Sequence, residues 1–236
     1  MTPTDKDSPQ DTQAREVEVK TNPLILATRD HGETLIALAA EAITEGLVEG
    51  APTPPDLASQ PGPLRAQGAS FVTLTKDGQL RGCIGSVGAS RPLALDVAAN
   101  AWAAARRDPR FPPVTVEELP DLALSVSVLT TPVPMTFTDQ KDLLSQMRPG
   151  VDGLIFMDAG RRGLFLPQVW ESLPSAPAFL AHLKQKAGLP LDHWSDSVRV
   201  ERFEARCATA DHWPIPLPQM VGEGTGPKES QKEKPS

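Results

Sequence analysis

The segment SFVTLTKDGQLRGCIGSV, residues 70–87, limits what this chain can fold into more than any other. At its centre stands Asp77-Gly78, a pair suited to a two-residue type I′ turn because both central positions take positive φ. Aliphatic and β-branched residues flank the pair on both sides, so the spacing predicts an antiparallel hairpin. A regular register about that turn pairs Thr75 with Leu80, Leu74 with Arg81, Thr73 with Gly82, Val72 with Cys83 and Phe71 with Ile84. Paired residues share a face. One face then holds Phe71, Thr73, Leu80 and Ile84, and the other Val72, Leu74, Arg81 and Cys83. Apolar residues on both faces imply cover on both sides. Arg81 accordingly points into partly apolar surroundings, where a guanidinium needs a carboxylate, a carbonyl or an anionic ligand.

The rest of the chain reads as helices and hairpins without regular βαβ alternation, which makes the fold class α+β. Residues 1–28 are polar and aperiodic, so they are expected to be a disordered tail. Thr28 or Asp30 can cap a helix running to about Val48, with Leu35, Leu38, Ala39, Ala42 and Ile43 on one stripe. Five prolines in residues 51–63 predict an extended connector. Ser90-Arg91-Pro92 opens an alanine-rich helix carrying Asp96 and Asn100 four residues apart. Thr115 and Glu118 have capping-box spacing, and residues 122–128 alternate as a half-buried strand. A helix over 139–148, a second hairpin in GLIFMDAGRRGLFLP and a helix from Ser175 follow. In the last strand the apolar parity shifts from Val198 and Val200 to Phe203 and Ala205, which predicts a bulge near Glu201. The folded domain is therefore expected at 29–206, with 207–236 a second disordered tail.

Composition excludes several functions. The formal charge is −7, which argues against a nucleic-acid or membrane-surface binder. Seven Phe, four Trp and no Tyr leave few platforms for stacking bases. No apolar run reaches the ~18–20 residues of a membrane span, and the first residues lack the pattern of a signal peptide. Two cysteines make neither a disulfide framework nor a four-ligand zinc site, and His31, His182, His193 and His212 lack metal-ligand spacing. These features predict a soluble cytoplasmic protein with no metal and no cofactor.

The candidate chemistry lies in LRGCIGS. Gly82 and Gly85 flank Cys83 and Ile84 inside a strand, where glycine marks a bulge or a close backbone approach. Arg81, on the same face as Cys83 in the regular register, could lower the thiol pKa and make Cys83 a nucleophile. The competing reading is a buried, inert cysteine packed beside Val72. The spacing of Gly82, Gly85 and Gly88 matches neither the dinucleotide nor the Walker A pattern. Arg106, Arg107 and Arg110 gather around Asp108, either as a solvated helix end or as a site for an anion or acidic partner.

LRGCIGS at 80–86, RPLALDVAANAWAAARRDPRFPPVTVEELPDLALSVSVL at 91–129, GVDGLIF and RRGLFLPQVW together resemble the AMMECR domain family, in order from about residue 31 to 206. The family's signature falls on Leu80, Arg81, Gly82, Cys83, Ile84 and Gly85, and on Asp108, Arg110, Phe111 and Pro112. The resemblance implies two unequal lobes with mainly antiparallel sheets flanked by helices, and a cleft between the lobes near LRGCIG. Site candidates are Cys83 and Arg81 for catalysis, and Gly82, Ile84, Gly85, Ser86, Asp108, Arg110 and Phe111 for binding a small anionic ligand. The bacterial relatives imply an accessory or scaffold role in the AmmeMemoRadiSam system, with a Memo-like protein and a radical SAM enzyme as partners. The alternative is a cysteine-dependent enzyme acting through Cys83 on a small anionic substrate or modified base. The chain departs from many relatives at Trp102, where they carry Tyr.

Overall fold

Asp77 and Gly78 adopt φ of +50° and +72°, and the turn they make joins β1 (Gln67–Lys76) to β2 (Gln79–Gly85). The computed structural model describes residues 23–216, with side chains from Thr28 onward. The hairpin register departs from the regular one. Thr75 pairs with Leu80, but Leu74 pairs with Gly82, Thr73 with Cys83, Val72 with Ile84 and Phe71 with Gly85. Arg81 is the extra residue of a β-bulge, so every residue beyond it slips by one and changes face. The bulge swings Arg81 out of the ladder to partners described below.

β1 lies inside the first sheet, ordered β2-β1-β4-β9, with β4 at Leu122–Leu129, β9 at Ala205–Ala210 and a short β3, Arg91–Pro92, also on β1. Val72, Leu74, Leu124 and Val126 bury one face under two helices, α1 (Pro23–Glu49) and α3 (Leu93–Arg106). The alanines of α3 let it approach the sheet closely, down to contact with the backbone of β2. Gly46 is retained inside α1 because an added Cβ would lie 2.7 Å from the Trp102 ring. α1 begins at Pro23 and is interrupted at His31, whose φ and ψ are −133° and 26°. The expected tail is thus helical from residue 23, and residues 1–22 lie outside the described part. The segment 51–63 is extended as expected, apart from a 3-10 turn at Leu57–Ser59 and a one-turn α2, Gly62–Arg65.

The chain end also corrects expectation. Residues 207–210 belong to β9, pairing along β4 from Leu129 with Ala205 to Leu124 with Ala210. The indole N–H of Trp213 donates to the Thr44 hydroxyl at 3.3 Å, extending the ordered chain further. Alanine-rich β9 has little intrinsic strand preference, and the free edge of β4 recruits it. Residues 217–236 lie outside the described part.

The second lobe holds a sheet ordered β5-β8-β6-β7, from β5 (Val133–Pro134), β6 (Gly153–Asp158), β7 (Arg161–Phe165) and β8 (Arg199–Phe203). On one of its faces Leu154, Phe156 and Val200 pack with Leu143 of α4 (Gln140–Gln146) and with Phe179 and Leu183 of α5 (Ala176–Lys186). Trp170 stacks on Phe179 with ring centroids 3.9 Å apart, while its N–H donates to the Asp152 carbonyl. The turn between β6 and β7 is Ala159-Gly160, again with both φ positive. Asp158 accepts hydrogen bonds from His193, Ser195 and Ser197, which pins the segment before β8 to this hairpin.

The predicted bulge at Glu201 is absent, and β8 pairs regularly with β6. The parity shift has another cause: β8 and β9 belong to different sheets, and the chain changes lobe at Glu204. There the Thr130 N–H donates to the Glu204 carbonyl and the Glu204 N–H to the Thr130 hydroxyl, binding the two strand-to-strand crossings together. Ile155 and Phe203, on the second sheet's other face, meet Ala69 and Leu129 of the first in an inter-lobe core whose members are at most 3% exposed. Every strand pair is antiparallel, and the lobes are unequal, so the α+β architecture holds. No helix among the described residues is long and apolar enough to cross a membrane.

The inter-lobe core predicts that Phe203→Ala lowers stability by about 3–5 kcal/mol and uncouples the lobes. Urea unfolding followed by tryptophan fluorescence should then show two transitions where the native chain shows one. A loss under about 1 kcal/mol with a single transition would contradict this role.

Candidate functional site

β2 is an edge strand, so one side of its backbone has no ladder partner. The loop after α3 supplies one. The Cys83 N–H donates to Asp108 Oδ2 at 2.9 Å, and Arg110 Nη2 donates to the Cys83 carbonyl at 3.3 Å. Arg110 also grips Asp108 with a fork, Nε to Oδ1 at 2.9 Å and Nη2 to Oδ2 at 2.7 Å. Arg110 holds the Asp108 carboxyl far below the usual carboxylate range, against the opposing effect of burial and with help from the Cys83 and Arg110 N–H groups. The two predicted motifs are therefore one unit, in which RDPRFPP closes the edge of LRGCIG. Phe111 lies under the Arg110 guanidinium at 5.4 Å.

Arg81 does not serve the thiol. Its Nε and Nη2 donate to the two oxygens of Glu118 at 3.0 and 2.9 Å, and its Nη1 donates to the Pro112 carbonyl at 2.9 Å. Arg81 in turn lowers the Glu118 pKa. Glu118 also accepts the Thr115 N–H, as the capping-box spacing predicts. The expectation that Arg81 shares a face with Cys83 fails because the bulge rotates it away. The remaining motif residues are likewise turned to the protein. An added Cβ at Gly82 would collide with the Ala104 carbonyl oxygen of α3, and one at Gly85 with the Phe71 ring. Ile84 stands opposite Val72 on the helix side. Ser86 donates to Asp96, a carboxylate 1% exposed that also accepts from Ser70, Arg91 and Asn100.

What remains facing the cleft is the half-buried thiol and its row. Across the sheet Cys83 stands beside Thr73, then Ser125, then Thr209; the next row runs Gly85, Phe71, Ser127, Cys207. The Thr73 hydroxyl donates to Cys83 Sγ at 3.2 Å. Cys207 sits at the opposite edge, three strand spacings of ~4.8 Å away, beyond disulfide reach. The second lobe forms the facing wall, and Gln168 Nε2 reaches Ser127 Oγ at 3.3 Å. Lys186, near the end of α5, lies 5.0 Å over the Phe165 ring. Solvent reaches much of its side chain, yet the surrounding wall desolvates the ammonium and lowers its pKa; the Cys83 sulfur acts in the opposite sense and Arg110 in the same sense. Lys186 forms no ion pair with a described residue.

Sequence reasoning brings Cys83, Gly82, Asp108, Arg110 and Phe111 to one place but misses Lys186, Thr73, Ser125, Ser127 and Gln168. Nothing local marks Lys186, which is 103 positions beyond Cys83 in the chain. Chemistry rather than volume marks this cleft, because concavities of about 580, 380 and 300 Å³ lie elsewhere. Among the described residues no group of three His, Cys, Asp or Glu side chains could hold a metal ion. The arrangement can clasp a ligand between a rigid strand edge carrying a thiol and hydroxyls, and an ammonium on the opposite lobe.

A family model described as AMMECR1 matches residues 36–208. A protein of Methanothermobacter thermautotrophicus is 44% identical over 187 residues, spanning 76% of this chain and 94% of the relative. Protein MJ0810 of Methanocaldococcus jannaschii is 43% identical over 136 residues, 55% of this chain and 66% of the relative. The crystal structure of protein PH0010 from Pyrococcus horikoshii superposes with a TM-score of 0.73 at 35% identity, covering 78% of this chain and 94% of that one.

Two outcomes follow from the edge unit. Gly82→Ala should lose about 2–3 kcal/mol because backbone, rather than a flexible side chain, blocks the added methyl; an equilibrium denaturation loss under about 0.5 kcal/mol would refute the close approach. Folding lowers the Asp108 pKa, so its contribution is complete above the unfolded-state value of about 3.9 and fades as pH falls below it. Melting temperatures of the native chain and Asp108→Asn should thus differ most near neutrality and converge toward pH 2. Parallel curves would show that the carboxylate is not the group involved.

Proposed function

This chain belongs to the AMMECR1 family, and on that premise we propose that it is an accessory component of a three-part system with a Memo-like protein and a radical SAM enzyme. It would hold a partner, or present that partner's substrate, at the cleft between its lobes. One observation carries the reading. The charged groups of the signature motifs are held in ion pairs, Arg81 with Glu118 beyond the motifs and Arg110 with Asp108 within one, so they build a fixed platform and leave no charged group of their own unpaired. Lys186 and the hydroxyl row are what that platform offers to a visitor. A cytoplasmic location fits two thiols held apart at opposite sheet edges, which a reducing compartment keeps free.

A second reading, a cysteine-dependent enzyme acting on a small anionic substrate, draws on one contact. The Thr73 hydroxyl donates to Cys83 Sγ, and the thiol is free and only half-buried, open to a substrate.

The two readings part in reconstitution. Purified chain, Memo-like protein and radical SAM enzyme should co-elute in size exclusion. Lys186→Glu should weaken the complex about tenfold or more, while Cys83→Ser leaves both complex and system turnover intact. Turnover lost in Cys83→Ser with the complex preserved would install the enzyme reading, and failure of the native chain to bind either protein would end the accessory one.

A further inference from the structure

The GRRG turn of the second lobe takes no part in the cleft chemistry. Arg161 Nη1 donates to the Gly188 carbonyl at 2.6 Å. Arg162 is different: its side chain is exposed and makes no hydrogen bond or ion pair with a described residue, and the same is true of the Arg199 side chain. Both pair with Met157, Arg162 from β7 and Arg199 from β8. They therefore stand on one face of the sheet, two strand spacings or roughly 10 Å apart. A concavity of about 300 Å³ opens between them, bounded also by Ala159, Gly160 and Ser197.

No acidic side chain among the described residues forms an ion pair with either arginine. Asp158 borders the concavity, but its oxygens are taken by His193, Ser195 and Ser197. Glu201, one row inward on the same face, forms no ion pair with either arginine. The chain carries 30 acidic against 23 basic residues, yet no carboxylate among the described residues pairs with these two arginines.

We propose that Arg162 and Arg199, with the concavity between them, form a binding site for the phosphate group of a small phosphomonoester. A guanidinium fork matches the oxygens of a phosphate, and two forks about 10 Å apart at their Cα atoms can converge on one group. The charge match selects phosphate over carboxylate. A phosphomonoester carries a charge of about −1.5 to −2 at pH 7, enough for both arginines, whereas a carboxylate leaves one uncompensated. The volume is at the low end of small-molecule sites, ~300–1,000 Å³.

The test is calorimetric titration of the full chain at low salt with phenyl phosphate, with inorganic phosphate and with benzoate. Phenyl phosphate and inorganic phosphate should bind saturably, and benzoate about tenfold or more weakly than phenyl phosphate. The double variant Arg162→Gln, Arg199→Gln should bind both phosphates about tenfold or more weakly, with its melting temperature confirming the fold. Arg65→Gln, an exposed arginine in the other lobe, should bind as the native chain does. No saturable phosphate binding by the native chain, or equal binding by the double variant, overturns the site. Benzoate binding as tightly as phenyl phosphate overturns its selectivity for a dianion.

Discussion

A carboxylate at the open edge of β2 organises the first lobe. An edge strand exposes N–H and C=O groups that would otherwise recruit another chain. Asp108 accepts the N–H of Cys83, and Arg110 returns to the carbonyl of the same residue. The edge is thereby closed by side chains instead of a further strand. Asp108 is 5% exposed, and an unpaired charge so buried would be strongly destabilising. Its fork with Arg110 offsets that, and the Pro-Arg-Phe-Pro-Pro backbone that follows is stiff enough to hold the geometry. Separate signatures in the sequence are one device in space.

The bulge at Arg81 has a comparable reach. In a strand a slip of one residue exchanges the two faces. With a regular hairpin Cys83 would stand beside Val72, under the helices, and be a packing residue. With the bulge Cys83 pairs with Thr73 and faces the cleft, while Gly82 turns toward α3, where only a glycine fits against the Ala104 carbonyl. The order Arg-Gly-Cys follows from this: a residue to leave the ladder, a residue without a side chain to meet the helix, and the residue that faces the other lobe.

Local chemistry was legible in the chain, and non-local chemistry was not. The Asp77-Gly78 turn, the helix start at Ser175 and the alternation at the beginning of β4 follow from neighbours within a few positions and hold in the structure, although Val126 to Leu129 are all buried. The hairpin register does not, because the bulge depends on Glu118, 37 positions from Arg81. The parity shift before Ala205 reads as a bulge but marks a change of sheet, since both produce the same break in alternation. Residues 207–210 of β9 read as tail because alanine and threonine carry little apolar signal; the unpaired edge of β4 that stabilises them is invisible in sequence. Lys186 was missed for the same reason, being brought to Cys83 only by the packing of one lobe on the other.

The origin of the charge beside Cys83 sets what the cleft can do. Arg81 is neutralised by Glu118, and Arg110 by Asp108, so neither contributes a full positive charge at the thiol. Among the described residues, the cation that acts on the thiol without a carboxylate partner is Lys186, and it belongs to the other lobe. The electrostatic surroundings of Cys83 therefore depend on the inter-lobe seam of Ala69, Leu129, Ile155 and Phe203, all of them buried. A ligand that touched only the first lobe would meet hydroxyls, a thiol and closed ion pairs. One that reached both lobes would meet an ammonium whose desolvation already favours giving it a counter-charge. On the proposal that the cleft takes an anionic group, its attraction would draw on both lobes, which makes the seam part of the proposed site as much as the signature motif is.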